Sequence, residues 1–157
     1  MQKITTFLWY DDRAEEAAAF YTTLFPDSRI TGTTRYGATG PGPAGSVMTV
    51  RFELAGREYV ALNGGPEFHF TEAISLQVTC EDQREVDHLW AGLTADGGEE
   101  GPCGWLKDRY GLSWQITPRV LLDLIDDEDR AKANRVVAAM LQMRKIEIQP
   151  LLDAAKG

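Results

Sequence analysis

The sequence predicts an α+β fold that contains two β-α-β-β-β units and a set of C-terminal helices. Three observations predict it. A strand, a helix and three further strands can be read twice along the chain, the two halves match at a shift of 70 residues, and the composition becomes helical after Pro118. Internal duplication of this kind lets two half-domains pack as pseudo-symmetric partners. We predict a single domain with unit one at 1–65, unit two at 70–118 and a helical extension at 119–157.

The first unit is read from hydrophobic periodicity and from turn residues. Residues 3–9 are rich in β-branched and aromatic side chains, and Asp11-Asp12 suits a helix N-cap. The following helix carries acidic residues in its first turn and ends before Pro26. The predicted elements of this unit are a strand at 3–9, a helix at 13–25 and strands at 28–36, 46–54 and 57–62.

The second unit repeats this order. Superposing the halves places Ile4 on Ile74, Leu8 on Val78 and Phe20 on Trp90. Alternation in the strand at 73–79 predicts that Ile74, Leu76 and Val78 face the helix, and that Ala73, Ser75 and Gln77 face the opposite side. The remaining predicted elements are a helix at 83–95, a short segment near 99–100, strands at 103–107 and 112–117, and extension helices at 120–125 and 131–145.

A glycine- and proline-rich segment at 37–45 raises the question of a nucleotide site. Phosphate-binding loops of that kind lie between a strand and a helix and use backbone N–H donors. This segment joins two strands and contains two prolines, which lack N–H groups. We therefore predict a hairpin loop.

Charge and cysteine content restrict the partners. Acidic residues outnumber basic ones 24 to 16, for a net charge of -8, so nucleic acid and anionic membranes are not expected partners. No apolar stretch is long enough for a signal peptide or a membrane span, and we expect a soluble, cytoplasmic protein.

Cys80 and Cys103 form no Cys-x-x-Cys pair, and both are predicted to be reduced thiols.

Several segments resemble one known family. They are Phe7–Asp11 (FLWYD), Ala14–Ala17 with Phe20 and Tyr21, Leu62–Gly65 (LNGG), Gly101–Asp108 (GPCGWLKD) and Tyr110–Ile116 (YGLSWQI). Over about residues 3–145 the chain resembles PhnB-like proteins of the vicinal-oxygen-chelate superfamily, which includes glyoxalase I, extradiol dioxygenases and antibiotic-resistance proteins. The resemblance implies a homodimer in which curved mixed sheets enclose a small-molecule cavity. A methyltransferase activity, with which this family has often been labelled, is not expected, because the chain has no glycine-rich turn between its first strand and helix.

The resemblance also implies where a divalent metal would be held in the enzymatic relatives, by His or Glu on the first and last strands of each unit. Here the histidine position falls on or near Ala73, and the terminal glutamate position falls on Gln115. Lys3, Thr5 and Phe7 are the first-unit counterparts. No metal or other cofactor is therefore predicted, since a metal site needs several converging N or O ligands.

Without metal ligands, the side chains expected to line the cavity are aromatic rings and amides. Such a lining suits a pocket for a small organic molecule, but it also suits a cavity filled by its own side chains. Two alternatives stay open: a metal-dependent lyase, isomerase or dioxygenase with Asn63, His69 and Gln115 as ligands, and a dimeric scaffold that uses the C-terminal helix. The predicted ligand-binding residues are Phe7, Trp9, Asn63, His69, Gln77, Trp105, Trp114 and Gln115.

Overall fold

The computed structural model describes residues 1–157, which divide into two compact units, Met1–Phe70 and Thr71–Gly157. The second unit includes the C-terminal helices. None of the helices is both long enough and apolar enough to span a membrane.

Unit 1 has the predicted β-α-β-β-β order. Its sheet is open, with strand order β1-β4-β3-β2, and only the β1–β4 pair is parallel. Leu8, Tyr21 and Phe52 form part of the buried core, each 3% exposed or less. The elements are β1 (Thr6–Tyr10), α1 (Ala14–Leu24), β2 (Arg29–Arg35), β3 (Val47–Leu54) and β4 (Arg57–Asn63).

The start of helix α1 differs from the prediction. Asp11-Asp12 does not cap it, since the N-cap residue is Arg13, whose side chain makes no capping hydrogen bond. Instead, the Asn63 side-chain oxygen accepts a hydrogen bond from the Ala14 backbone N–H at 2.8 Å. A residue distant in sequence thus satisfies one of the free N–H groups of the helix start.

The two hairpin connections of unit 1, between β2 and β3 and between β3 and β4, adopt the conformations that their residues predict. Ala55 and Gly56 have φ values of 48° and 80°, the left-handed conformation that a two-residue hairpin turn requires. The glycine- and proline-rich loop closes on Tyr36, which exchanges backbone hydrogen bonds with Gly45 and Ser46. The loop therefore joins β2 to β3, as predicted.

Unit 2 repeats the topology. The strand order is β5-β8-β7-β6, the sheet is open, and β5–β8 is the parallel pair. Asp82 caps its helix, since the Asp82 carboxylate accepts from the Glu85 N–H at 2.9 Å, and the Glu85 carboxylate in turn accepts from the N–H of Glu81, the residue before the cap, at 2.7 Å. The elements are β5 (Ser75–Cys80), α2 (Gln83–Thr94), β6 (Glu99–Glu100), β7 (Trp105–Lys107) and β8 (Ser113–Pro118).

The extension contains α3 (Arg119–Ile125), α4 (Arg130–Met140) and α5 (Ile148–Lys156). The predicted helix at 131–145 is too long, because residues 141–147 leave the helix, and α5 was not predicted. Pro150 in the first turn of α5 is a helix-start signal, since that position needs no intrahelical N–H donor. Leu121, Val136, Ile146 and Leu151 form a buried cluster. The apolar residues of the extension thus form its own core.

Candidate functional site

Three of the predicted residues lie side by side on the sheet of unit 2. In the β5–β8–β7 pairing, Gln77 is opposite Gln115, and Gln115 is opposite Trp105. Directly paired residues share a face of a sheet. Ser75, Ser113, Lys107 and Glu99 continue this face two residues along each strand.

A cavity of about 440 Å³ opens over one end of this face. Trp105 and Lys107 come from β7 and Ser113 from β8, while the segment before β7 closes one side. We call it the unit-2 cavity. Its lining consists of Glu72, Glu99, Glu100, Gly101, Pro102, Cys103, Trp105, Leu106, Lys107 and Ser113.

Ser113 is the one polar side chain of the cavity that is almost fully buried. The residue is 1% exposed, and its Oγ makes no hydrogen bond. Leaving a buried hydroxyl unpaired costs about 1–3 kcal/mol. The cavity therefore presents a hydrogen-bonding group that a bound molecule could satisfy.

Charged groups occupy the rim. Lys107 pairs with Glu72, with side-chain exposures of 39% and 63%. The hydrogen bond from Lys107 lowers the pKa of the Glu72 carboxyl, and the same bond raises the pKa of the Lys107 ammonium. One oxygen of Glu100 accepts from the Trp90 indole N–H at 2.7 Å. Three glutamates and one lysine give the rim a net formal charge of -2.

The segment Gly101–Gly104, here called the cavity loop, is fastened to the extension. The Cys103 N–H donates to the Met143 carbonyl at 2.8 Å, and the Gly104 N–H donates to the Arg144 carbonyl at 2.7 Å. Cys103 has a φ of 56°, the left-handed region that is unfavourable for a side chain with a Cβ. Residues 141–147 leave the helix where these bonds form.

Trp114 lies elsewhere. It is 2% exposed, does not line the unit-2 cavity, and donates through its indole N–H to the Asp108 carboxylate at 2.9 Å. Asp108, itself 2% exposed, also accepts from the backbone N–H groups of Tyr110 and Leu112. Trp114 is thus a core residue that anchors the turn between β7 and β8.

In unit 1, the predicted residues do not form one site. Phe7 is 60% exposed on β1 and lines a depression of about 140 Å³, while His69 is exposed. Trp9 is on the same face as Phe7, since residues two apart in a strand share a face, and its indole N–H donates to the Gly65 carbonyl at 2.9 Å. Asn63 pairs with Tyr10, on the other face, and contacts helix α1.

Unit 1 has a larger cavity, of about 580 Å³, at the start of helix α1. Its buried polar groups are engaged: the Asn63 amide group also donates to the Val47 carbonyl at 3.1 Å, and the Tyr36 hydroxyl donates to the Asn63 carbonyl. The unit-2 cavity therefore remains the better candidate, because it holds a buried group with no hydrogen-bond partner.

The residues at the expected metal positions do not fit a divalent ion. Gln115 donates its amide N–H to the Ser75 hydroxyl at 2.9 Å, Ala73 has no donor atom in its side chain, and the Asn63 oxygen is used by helix α1. No group of three or more His, Cys, Asp or Glu side chains is placed to hold a metal ion.

Ser113, Lys107 and the rim glutamates are not among the site residues predicted from the sequence. Ser113 and Gln115 are two residues apart in one strand, so the choice of Gln115 implied that Ser113 shares its face. Glu72 and Glu99 gave no such signal, because their positions depend on pairing with Lys107.

Comparison with known proteins places the chain among related sequences. The model of a family described as 3-demethylubiquinone-9 3-methyltransferase matches residues 2–117, so the extension lies outside the matched region. A PhnB protein from Bacillus cereus is 41% identical, with 74% of this chain and 99% of that chain covered and a TM-score of 0.66. No match was found among curated proteins.

Two further solved structures are more distant. A protein from Pseudomonas aeruginosa is 18% identical, covers 75% of this chain and 98% of its own, and has a TM-score of 0.61, which shows the same fold. A glyoxalase/bleomycin resistance protein from Albidiferax ferrireducens is 15% identical. The match covers 75% of this chain and 99% of that chain, with a TM-score of 0.49.

Proposed function

The chain belongs to the PhnB-like family of the vicinal-oxygen-chelate superfamily, and from this we propose that it binds a small organic molecule in the unit-2 cavity. The buried, unpaired Ser113 hydroxyl carries this proposal. An indole surface from Trp105, an apolar contact from Pro102 and one buried polar group are the usual composition of a small-molecule pocket.

We propose binding rather than the methyl transfer that the family description mentions. A pocket for S-adenosylmethionine normally includes a glycine-rich turn between the first strand and the first helix. The connection at 11–13 reads Asp-Asp-Arg, and the equivalent connection of unit 2 reads Glu-Asp at 81–82. Homodimer formation and a cytoplasmic location stay predictions.

Native mass spectrometry of the purified full chain tests the proposal, because a retained ligand adds a defined mass. The W105A variant should lose that mass, since it removes the aromatic floor of the cavity. The W9F variant is the matched control, because Trp9 belongs to unit 1 and does not line this cavity.

A retained molecule that survives W105A but is lost in W9F would move the binding site to unit 1 and contradict the proposal. A chain that carries no extra mass is then titrated with small aromatic probes by calorimetry. The absence of any Trp105-dependent binding in that titration would also contradict it.

A further inference from the structure

Building on the proposed function, we infer that the molecule bound in the unit-2 cavity is an organic cation: an apolar or aromatic body with a positively charged nitrogen and a hydrogen-bonding group. The inference rests on three neighbouring features of the cavity. They are the charge of its rim, the indole of Trp105 and the unpaired hydroxyl of Ser113.

The rim favours positive charge. Lys107 is already paired with Glu72, and the pair is stable at neutral pH because the pKa of Glu72 is lowered and the pKa of Lys107 is raised by their mutual hydrogen bond. Glu99 lies opposite Lys107 in the β6–β7 pairing and makes no ion pair with it. Only one oxygen of Glu100 is used by Trp90, so the carboxylates of Glu99 and Glu100 can both interact with a cation. The one ammonium group of the rim, that of Lys107, is already paired and is not free to bind an anion.

The floor favours a cation of low hydration. Trp105 lies on the same sheet face as Lys107 and Glu99 and lines the cavity. An indole face attracts a cation more strongly than the other aromatic rings do, and a quaternary ammonium, which has no N–H donor, loses little hydration on contact. Carboxylates and an indole that line one cavity therefore select a positively charged nitrogen over a neutral group of equal shape.

The buried hydroxyl sets the orientation of the ligand. Ser113 is 1% exposed, its Oγ is unpaired, and it comes from the strand next to Trp105 and Lys107. A hydroxyl, ether or carbonyl group on the ligand can pair with it, which removes the cost of an unpaired buried group. The ligand thus has one charged end near the rim and one polar group inside.

Three probes of similar size test the inference by isothermal titration calorimetry on the full chain. The cation is benzyldimethyl(2-hydroxyethyl)ammonium, its neutral carbon isostere is 3,3-dimethyl-4-phenylbutan-1-ol, and the anion is 4-phenylbutyrate. We expect the cation to bind about tenfold more tightly than the isostere, as a cation–π contact with carboxylate support provides, and the anion to bind most weakly.

Variants separate the contributions. E99Q should weaken the cation severalfold and leave the neutral isostere unchanged, whereas S113A should weaken both hydroxyl-bearing probes alike. E128Q is the matched control, because it removes the same charge from an exposed residue of unit 2 that does not line the cavity. E128Q should bind all probes as the parent chain does.

The outcomes distinguish the inference from the proposed function. Equal affinities for the cation and its isostere, both lost in W105A, would overturn the cation preference while keeping the pocket. Equal effects of E99Q and E128Q would also overturn it, because long-range charge would then explain the preference. If no probe binds in a Trp105-dependent manner, both the inference and the proposed function are wrong.

Discussion

The backbone N–H of Cys103 donates to the carbonyl of Met143 at 2.8 Å, which joins the cavity loop to the extension. Gln83 on helix α2 strengthens the same region, since its side chain donates to the Ile146 carbonyl at 3.0 Å and accepts from the Ile148 N–H at 2.7 Å. The extension, which lies outside the family match, thus supports a wall of the candidate site.

Truncation of Ile146 should loosen this wall. Ile146 is fully buried, so I146A is expected to destabilise the protein by about 2–4 kcal/mol through the cavity it creates. Amide hydrogen exchange at Cys103 and Gly104 should become faster. The exposed Leu141 gives the control variant L141A, and unchanged exchange in I146A would show that the extension does not hold the loop.

The two thiols should differ in reactivity. Cys80 is fully buried, and burial raises its pKa to about 12, so almost none of it is thiolate at pH 8. Cys103 is partly exposed and lines the unit-2 cavity. Iodoacetamide should therefore add one label to the native chain and two to the unfolded chain, as measured by mass spectrometry.

The C103S variant is the control for this labelling, and it should take up no label until it unfolds. Rapid labelling of native C103S would show that Cys80 is accessible and contradict the prediction. A probe bound in the cavity should slow the labelling of Cys103, since both occupy the same space.

Replacement of Asp108 should destabilise unit 2. D108A leaves the indole N–H of Trp114 and the N–H groups of Tyr110 and Leu112 without their acceptor, and we expect a loss of about 3 kcal/mol or more. D108N keeps one acceptor oxygen and should lose less. Urea unfolding measures both variants, with D123N at an exposed position as the control. Equal stability of D108A and D123N would exclude this anchoring role.

Asn63 should act through structure rather than through ligand contact. N63A removes the cap of Ala14 and the donor to Val47, so the free energy of unfolding should fall by about 1–2 kcal/mol. Binding to the unit-2 cavity should not change, because Asn63 does not line it. N134A, at an exposed position of α4, is the matched control, and a stability loss as large as that of N63A would argue against a specific cap.

The ion pair on the rim gives a pH dependence with a defined sign. The Glu72 carboxylate is stabilised by Lys107, so the pair is intact above the ordinary carboxyl pKa of 4.5 and is lost as pH falls through the lowered value. At the basic end it is intact below the ordinary lysine pKa of 10.5 and is lost as pH rises through the raised value.

Substitution of Lys107 tests this pairing. K107M should return the pKa of Glu72 towards 4.5, which an NMR titration of the Glu72 side-chain carboxyl carbon measures. Stability should change little, because the side chains are 39% and 63% exposed and solvent screens such pairs. A Glu72 titration that is the same in K107M and in the parent chain would contradict the pairing.

Much of the fold was predictable because its patterns are local. Alternation, turn residues and the repeat at 70 residues predicted both β-α-β-β-β units, and the observed element order and the similar Bacillus cereus structure confirm them. The end of helix α4 was not predictable, because residues 141–147 exchange helical bonds for bonds to the cavity loop. Helix propensity reports local preference, and tertiary hydrogen bonds override it.

The candidate site was predictable only in part. Gln77, Trp105 and Gln115 are predicted from alternation and from the resemblance, and strand pairing brings them into one row, but only Trp105 lines the unit-2 cavity. Trp114 was chosen with Gln115, yet adjacent residues of a strand point to opposite faces, and Trp114 lies in the core. Ile74, expected against the helix, is 69% exposed and precedes β5.

By itself, the sequence determined the order of the elements, the duplication and the residues at the expected metal positions, because each of these is written in residue type and spacing. Only the tertiary structure decided that Asn63 caps helix α1, that Glu72 pairs with Lys107 and that Ser113 is buried without a partner. The first two relationships join residues far apart in the chain, and the third depends on the segments that cover Ser113; all three therefore depend on strand register and on tertiary packing.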